Sequence, residues 1–531
     1  MKTDPVSFEV FRNAFISVAE EMGAALVRTA YSPNIKERRD CSAAVFDVEG
    51  EMVSQAEHIP VHLGAMPESV KAAIDVYPIT QWEKGDVVIL NDPYEGGTHL
   101  PDITLISPVL FKEEVAGFVA NRAHHADVGG SVPGSMPGGA TEIYQEGLRI
   151  PPTKLVESGK VNQGLWRMIL ANVRTPIERQ GDLRAQLASN ATGVTRFEFI
   201  LQKYSRPTIF TFLTDLHDYS NNRMLQQLQQ MPKGKYTFTD YMDNDGVTSE
   251  PVSLTVQVTI KQNQIIFDFT GSNPQTQGNI NAPFAVTLSC SYYVLRCVTD
   301  PTIPVNAGCY APLKVIAPLG TVLNPRPPAA VSAGNVETSQ RIVDVLLGAL
   351  KEALPDRIPA ASQGTMNNLI IGGTIPGTTR AFTFYETIAG GLGARPKSDG
   401  IDGIHSHMTN TANTPIEALE SAYPLRVRCY KLIPKSGGEG RYRGGEGIQR
   451  DIEILSDQAV VSIQSDRRHF PPWGLRGGQP ARLGRNRHCE GTEWKELPGK
   501  ITFNARKGDI ISIQTPGGGG YGIFKQKKLN L

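Results

Sequence analysis

At 531 residues the chain exceeds what one hydrophobic core accommodates, and length alone suggests roughly three or four domains. Its 53 basic and 53 acidic residues cancel and no dense Lys/Arg run occurs, so neither nucleic acid nor an anionic membrane surface is an expected partner. No stretch approaches the ~20 apolar residues that span a bilayer, and Asp4, Glu9, Arg12, Glu20 and Glu21 break up the N-terminus where a signal peptide would need an apolar core.

Asp4-Pro5 opens a helix, a capping acid followed by proline in the first turn. Phe8, Phe11, Phe15, Val18, Met22 and Leu26 then recur at three- and four-residue steps, which makes one apolar packing stripe. Residues 43–46 and 52–53 flank Asp47-Val48-Glu49-Gly50 and predict a hairpin. Residues 68–76 read as a short helix. Val87–Leu90 reads as a buried strand that delivers Asn91, Asp92 and Pro93 to its end, and residues 115–121 form a strand running toward His124. The segment 127–139, DVGGSVPGSMPGG, is too rich in glycine and proline for regular structure and reads as a lid, a pocket wall or a plain surface loop. Helices are predicted over 165–173, 177–204 and 209–230.

From Lys233 strands dominate, with a hairpin over 252–260 and 264–270. Helical stretches at 284–297 and 339–353 flank proline-rich loops around Pro301 and Pro325. Short strands alternate with glycine clusters over 421–523. The whole pattern implies a multi-domain α+β fold. Residues 1–232 form an N-terminal α+β domain carrying the chemistry, 233–420 a central mixed α/β region, and 421–531 a mostly β, glycine-rich C-terminal region. The six cysteines show no CxxC pair, so buried free thiols and a cytoplasmic location are expected.

Five of the ten histidines lie between positions 58 and 125, three of them among carboxylates. The motifs NDPYEGGTHLPDI (91–103) and ANRAHHADVGG (120–130) offer His99, Asp102, His124, His125 and Asp127, with Asp40 and Asp92 as further oxygen donors. Imidazole mixed with carboxylate and without thiolate is the ligand set of a catalytic zinc, manganese or iron. The bland alternative is a set of loop histidines bonded to nearby acids, or a structural ion. His124 and His125 are adjacent and point to opposite faces of a strand, so one ligates a given ion while the other transfers a proton or packs.

Other motifs carry less. His58 and His62 are four apart, yet Pro60 between them and Gly64 after them favour a bent or extended segment, which makes them pocket residues. GIHSHMTNTANTPIE (403–417) places His405 and His407 beside Thr409, Asn410 and Asn413, a pattern read as a hydrogen-bonded network in preference to a second metal site. SGGEGRYRGGEG (436–447) and PGGGGYG (516–522) lack the strand, helix and GK[ST] context of phosphate loops. No nucleotide-binding residues are assigned, and ATP-driven chemistry would need another subunit.

RRDCSAAVFD, HIPVHLGAMPES, NDPYEGGTHLPDI, RAHHADVGG, GIHSHMTNTANTPIEALE and the closing TPGGGGYG occur in order along nearly all of the chain. Together they resemble the hydantoinase B/oxoprolinase family. The resemblance implies a stand-alone B-type subunit that works in a hetero-oligomer with a hydantoinase A-type, ATP-using partner. That partner phosphorylates a carbonyl oxygen, and the B-type subunit acts at a divalent metal (zinc, manganese or iron) on the activated cyclic amide, or carboxylates a ketone. The resemblance places the metal ligands on Asp40, His99, Asp102 and His124; independently of it, the nearby His125 or Asp127 is the candidate proton carrier in catalysis. Three functions follow as expectations: an ATP-dependent hydrolase of hydantoin, 5-oxoproline or a related lactam; an acetone- or acetophenone-carboxylase-type subunit; and a non-catalytic assembly subunit with a structural metal. The division of labour is chemically sound, because a metal lowers the pKa of bound water to about 7 and so supplies a nucleophile at neutral pH.

Overall fold

The structure, a computed structural model, describes residues 2–56 and 59–523; His58, expected in a pocket, lies outside the described residues. The first helix runs Pro5–Thr29, and the Asp4 side chain caps it by accepting from the backbone N–H groups of Val6 and Ser7. Phe8, Phe11, Phe15, Val18, Met22 and Leu26 are all buried, as the stripe predicted. Phe15 meets Phe197 of the helix Pro176–Tyr204 edge to face, with ring centroids 4.9 Å apart. Burial of each such side chain contributes about 1.5–3 kcal/mol.

These helices cover one face of a seven-stranded antiparallel sheet. Its strands are β1 (Cys41–Phe46), β2 (Met52–Gln55), β3 (Val87–Leu90), β4 (Asp102–Phe111), β5 (Glu114–His124), β6 (Thr153–Glu157) and β7 (Lys160–Val161), in the order β2-β1-β5-β4-β3-β6-β7. The register is what builds the site. Asp102, the first residue of β4, pairs with His124, the last of β5, and Cys41 at the start of β1 pairs with Ala123. The His124 N–H donates to the Asp40 carbonyl at 3.0 Å, so residues 40, 124 and 102 lie abreast at one end of three neighbouring strands.

Alternation along β5 sorts its side chains. Val119 joins the core under the first helix, while Phe118 and Ala120 face the central layer. In that layer β8 (Gly234–Met242), β9 (Val252–Ile260), β10 (Ile265–Asp268) and β11 (Leu313–Ile316) form a sheet in the order β11-β10-β9-β8, with only β10 and β11 parallel. The helices Phe284–Cys297 and Ser339–Leu350 pack into the same core.

The remaining strands are β12 (Asn368–Thr374), β13 (Ala381–Glu386), β14 (Leu425–Leu432), β15 (Ile448–Ile454), β16 (Gln458–Gln464), β17 (Arg485–Glu490), β18 (Glu493–Leu497), β19 (Lys500–Arg506) and β20 (Ile510–Gln514). They make two antiparallel sheets, β13-β12-β16-β19 and β14-β15-β20-β17-β18. Because β12 pairs with β16, one sheet crosses the expected boundary at position 420. The C-terminal glycines pack backbone on backbone: Gly438 N–H donates to the Gly518 carbonyl at 2.8 Å, and Gly518 N–H to the Gly445 carbonyl at 2.9 Å. A Cβ on Gly444 would lie 1.7 Å from the Gly518 oxygen, so only glycine fits there.

Two expectations need correction. The segment after His58 is not extended, since Pro60–Leu63 forms a helical turn with proline at its start, where its missing N–H is harmless. Of the six free cysteines, Cys41, Cys290, Cys309 and Cys489 are buried, but Cys297 is exposed and Cys429 half-buried. Among the described residues no helix is long and apolar enough to cross a membrane.

Candidate metal centre

His99 Nε2 and His124 Nδ1 each lie 3.0 Å from Asp102 Oδ1, and 3.2 Å from one another. Donors bound to one ion at about 2.1 Å stand about 3.0–3.4 Å apart, so these separations match the edges of a coordination shell. Among the described residues this is the one group of three or more His, Cys, Asp or Glu donors that could hold an ion, all within 4.8 Å and all buried. His124 Nε2 is buried without a hydrogen-bond partner among the described residues, which marks a ring whose polar needs protein atoms do not meet. The residues therefore fit a divalent transition ion.

The surroundings hold each donor in place. His99 Nδ1 faces the Ser332 carbonyl at 3.3 Å; a proton there leaves the Nε2 lone pair directed at the site. Ser332 is itself fixed by its N–H donating to Glu146 Oε1 at 2.9 Å. Asp102 Oδ2 accepts from Thr98 Oγ1 at 2.7 Å and Asn335 Nδ2 at 3.3 Å, and His62 Nε2 stands 3.6 Å away. His62 Nδ1 in turn lies 2.9 Å from Ser42 Oγ. The Tyr385 ring stacks on His124, centroids 4.4 Å apart at 18°, and its hydroxyl donates to Asn368 Oδ1 at 2.9 Å. Asn34 Nδ2 donates to the His124 carbonyl at 2.7 Å.

Electrostatics suit the same role. Burial works against ionising Asp102, but the imidazoles of His99, His124 and His62 outweigh it and hold the carboxyl well below its usual range. Burial pushes the His124 imidazole below its usual value, against the opposing pull of Asp102 and Asp40. An ionised carboxylate beside a neutral imidazole is the protonation state that binds metal.

Asp40 lines the same small pocket as Asp102, His124, His62, Tyr385, Met366 and Met408, although its carboxylate is not in the tight group of three. The open volume is about 20 Å³, enough for an ion or one water, which needs about 10–15 Å³. A larger cavity of about 840 Å³ between the first helix and residues 301–305 contains none of these donors.

The structure does not bring His125 and Asp127 to this pocket. His125 follows His124 on the opposite face, with Nε2 2.9 Å from Gln186 Oε1 on the helix Pro176–Tyr204. Burial drives its pKa down to about 4, so it packs as a neutral ring. The Asp127 carboxylate is consumed in ordering its own loop: it accepts from the N–H groups of Gly129, Gly134 and Arg174 and from Arg174 Nη1, at 3.0–3.1 Å. Asp92 is likewise engaged, by Arg149 at 2.5 Å. His407 Nε2 faces Asp344 Oδ1 at 3.3 Å, away from the pocket, while Met408, Thr409 and Thr411 of the same motif line it. Sequence reasoning missed Arg38, Asn335 and Tyr385. Arg38 sits in the motif that supplied Asp40, but Asn335 and Tyr385 carry no local signal.

A buried group of two histidines and one carboxylate that could hold a metal ion, set where β4 and β5 pair, stands in a fold of mixed α+β architecture. The chain belongs to the hydantoinase B/oxoprolinase family, whose model matches residues 4–523. It is 44% identical over 530 residues to an uncharacterized protein of Methanocaldococcus jannaschii, covering 99% of this chain and 92% of that one. It is 38% identical over 527 residues to a 5-oxoprolinase of Dictyostelium discoideum, covering 98% of this chain but 40% of the other; the chain thus spans about two fifths of that enzyme's length. The fold matches the crystal structure of an ATP-dependent caprolactamase from Pseudomonas jessenii with a TM-score of 0.92 and 28% identity, over 98% of this chain and 92% of that one.

Proposed function

We propose that this chain is the metal-bearing subunit of an ATP-dependent cyclic amidase, acting on a carbonyl that an A-type partner has activated by phosphorylation. The observation that carries the reading is the His99–Asp102–His124 group, buried in a pocket that Asp40 also lines. Two kinds of relative support the substrate class: a 5-oxoprolinase and an ATP-dependent caprolactamase each bear a cyclic amide in their names.

His99, Asp102 and His124 would hold the ion, with Asp40 as the fourth ligand. When bound, a divalent transition ion supplies Lewis acidity that polarises an oxygen and lowers the pKa of water toward neutrality. The protein's own contribution is positional. Thr98, Asn335 and Ser332 fix the donors so that no reorganisation is needed when charge develops. Ile59, Val61, Val336, Met366 and Met408 form the apolar part of the lining and would help keep bulk water from a reactive phosphorylated amide. His62, whose Nε2 faces the pocket beside Asp102 Oδ2, takes the proton-carrying role that His125 cannot fill.

The test is reconstitution. The purified chain should contain roughly one transition ion, and adding the A-type partner with ATP should convert a cyclic amide to its open amino acid. A metal-free wild-type chain that still supports product formation in the complex would end this reading.

A further inference from the structure

Arg38 is 1% exposed, and among the described residues no carboxylate lies within ion-pair distance of its guanidinium. Its acceptors are all neutral. They are Asn34 Oδ1, the Tyr385 carbonyl at 3.0 Å, Thr387 Oγ1 at 2.7 Å and Thr411 Oγ1 at 3.4 Å. Arg179, Arg341, Arg450 and Arg467, equally buried, each meet at least one carboxylate. Arg122 also lacks an ion pair, but its hydroxyl partners Thr104 and Ser69 do not line the pocket. A buried cation without a counter-charge is costly unless something else supplies the negative charge.

The hydroxyls bonded to Arg38 face that possibility. Thr387, Thr409 and Thr411 all line the pocket that contains Asp40, Asp102 and His124. Thr387 Oγ1 is 2.8 Å from Thr411 Oγ1, which is 3.4 Å from Thr409 Oγ1. A guanidinium only donates, so each hydroxyl that accepts from it must send its own proton onward. In both hydroxyl pairs either oxygen can donate, so the chain Arg38–Thr387–Thr411–Thr409 can be arranged with its protons directed away from the arginine, which leaves the Thr409 hydroxyl free to donate into the pocket. If Asp40 and Asp102 balance a divalent ion, the Arg38 charge is left over as well.

We infer that Thr387, Thr411 and Thr409, linked by hydrogen bonds to Arg38, form a subsite for an anionic substrate oxygen in the pocket that the metal ligands also line. The ligand class is an oxyanion, either a phosphoryl oxygen or the oxygen of the amide carbonyl as it gains negative charge; the open volume of about 20 Å³ takes one such oxygen, so the rest of the ligand enters only as the lining opens. The threonines touch the substrate; Arg38 acts through them as a positioning residue. The inference rests on the proposed amidase reading only for the identity of that anion.

The experiment titrates inorganic phosphate into the zinc-loaded full-length chain by calorimetry. Wild type is expected to bind phosphate. Thr387→Val and Thr411→Val, which keep side-chain shape, should weaken binding about ten- to a hundredfold, the usual loss for a hydrogen bond to a charged group. Metal content should hold, the thermal midpoint should fall because the buried Arg38 loses an acceptor, and the serine variants should restore both midpoint and affinity. Arg38→Met should weaken phosphate in the same direction, and the threonine variants keep the test decisive if that variant does not fold. In the complex with its A-type partner, Thr411→Val should lower kcat about 10²-fold with ATP consumption maintained when the anion is the substrate's own. An unchanged kcat with phosphate binding lost assigns the subsite to free phosphate. Phosphate binding needs no amidase turnover, so failure of the amidase reading would show separately. Equal phosphate affinity in wild type and both valine variants, or no binding by the zinc-loaded wild type, would overturn the subsite.

Discussion

Asp102 divides its two oxygens between tasks. Oδ1 faces both imidazoles, while Oδ2 is held by Thr98 and Asn335. Removing a donor and removing its support should therefore differ in degree. His99→Ala and Asp102→Ala should empty the site by elemental analysis, whereas Thr98→Val should weaken the metal about tenfold in competition with a chelator. Equal metal content across wild type and both alanine variants would show that the ligands lie elsewhere. His405 offers a second residue-level expectation, since both its ring nitrogens are buried without a partner among the described residues. Burial, and then the Arg38 charge, push its pKa from 6.5 down to about 3. The unfolded chain binds the proton first as pH falls, so this contribution to stability is complete above pH 6.5 and is lost progressively toward pH 3. His405→Gln should flatten the decline of the urea midpoint between pH 7 and 5, in that window about 2 units wide; parallel curves for the two proteins would contradict it. His99, Asp102 and His124 were legible in the sequence because imidazoles and carboxylates cluster in two short motifs. Asn335 and Tyr385 were not, because a contact with residue 102 or 124 across more than 200 positions leaves no local periodicity.

Strand register is the element that turns two motifs into one site. Asp102 opposite His124, beside Asp40, follows from pairing β4 with β5 and β5 with β1, and a one-residue slip would turn His124 to the helix-covered face. The strands themselves were readable from their apolar runs, but the pairing order was not, since it depends on long-range packing. A second element was invisible in the sequence: Gly334–Thr338 winds as a π-helical turn that carries Asn335 to Asp102. Gly334 permits it, because a Cβ there would lie 1.9 Å from the Asn281 carbonyl oxygen. Gly334→Ala should destabilise the fold by about 1–3 kcal/mol or more, as overpacking does, and weaken metal retention with it. Thermal melting and metal content together check this; an unaltered midpoint with full metal would mean that the turn tolerates a side chain. The glycine clusters near the C-terminus pack backbone against backbone, a role that the sequence does not show because it depends on partners as distant as Leu392 and Gly518.

At the scale of the molecule, an α+β architecture of several sheets was readable from the sequence, but the division near position 420 was blurred by β12 crossing to β16. Composition cannot reveal such a crossing, because β12 looks like any buried strand. The isolated chain is expected not to hydrolyse ATP, since its C-terminal glycine segments pack backbone on backbone and lack the GK[ST] context of a phosphate loop. ATPase activity in the contaminant-free chain would refute that. The central claim is that the metal pocket performs the hydrolysis and does not merely hold the subunit together. His124→Ala in the reconstituted complex, with folding and assembly verified, tests it most directly by following ATP consumption and ring-opened product side by side. Product formation is expected to fall by several orders of magnitude while the partner continues to consume ATP. Near-normal product with the metal gone would contradict the catalytic role and leave the chain an assembly subunit.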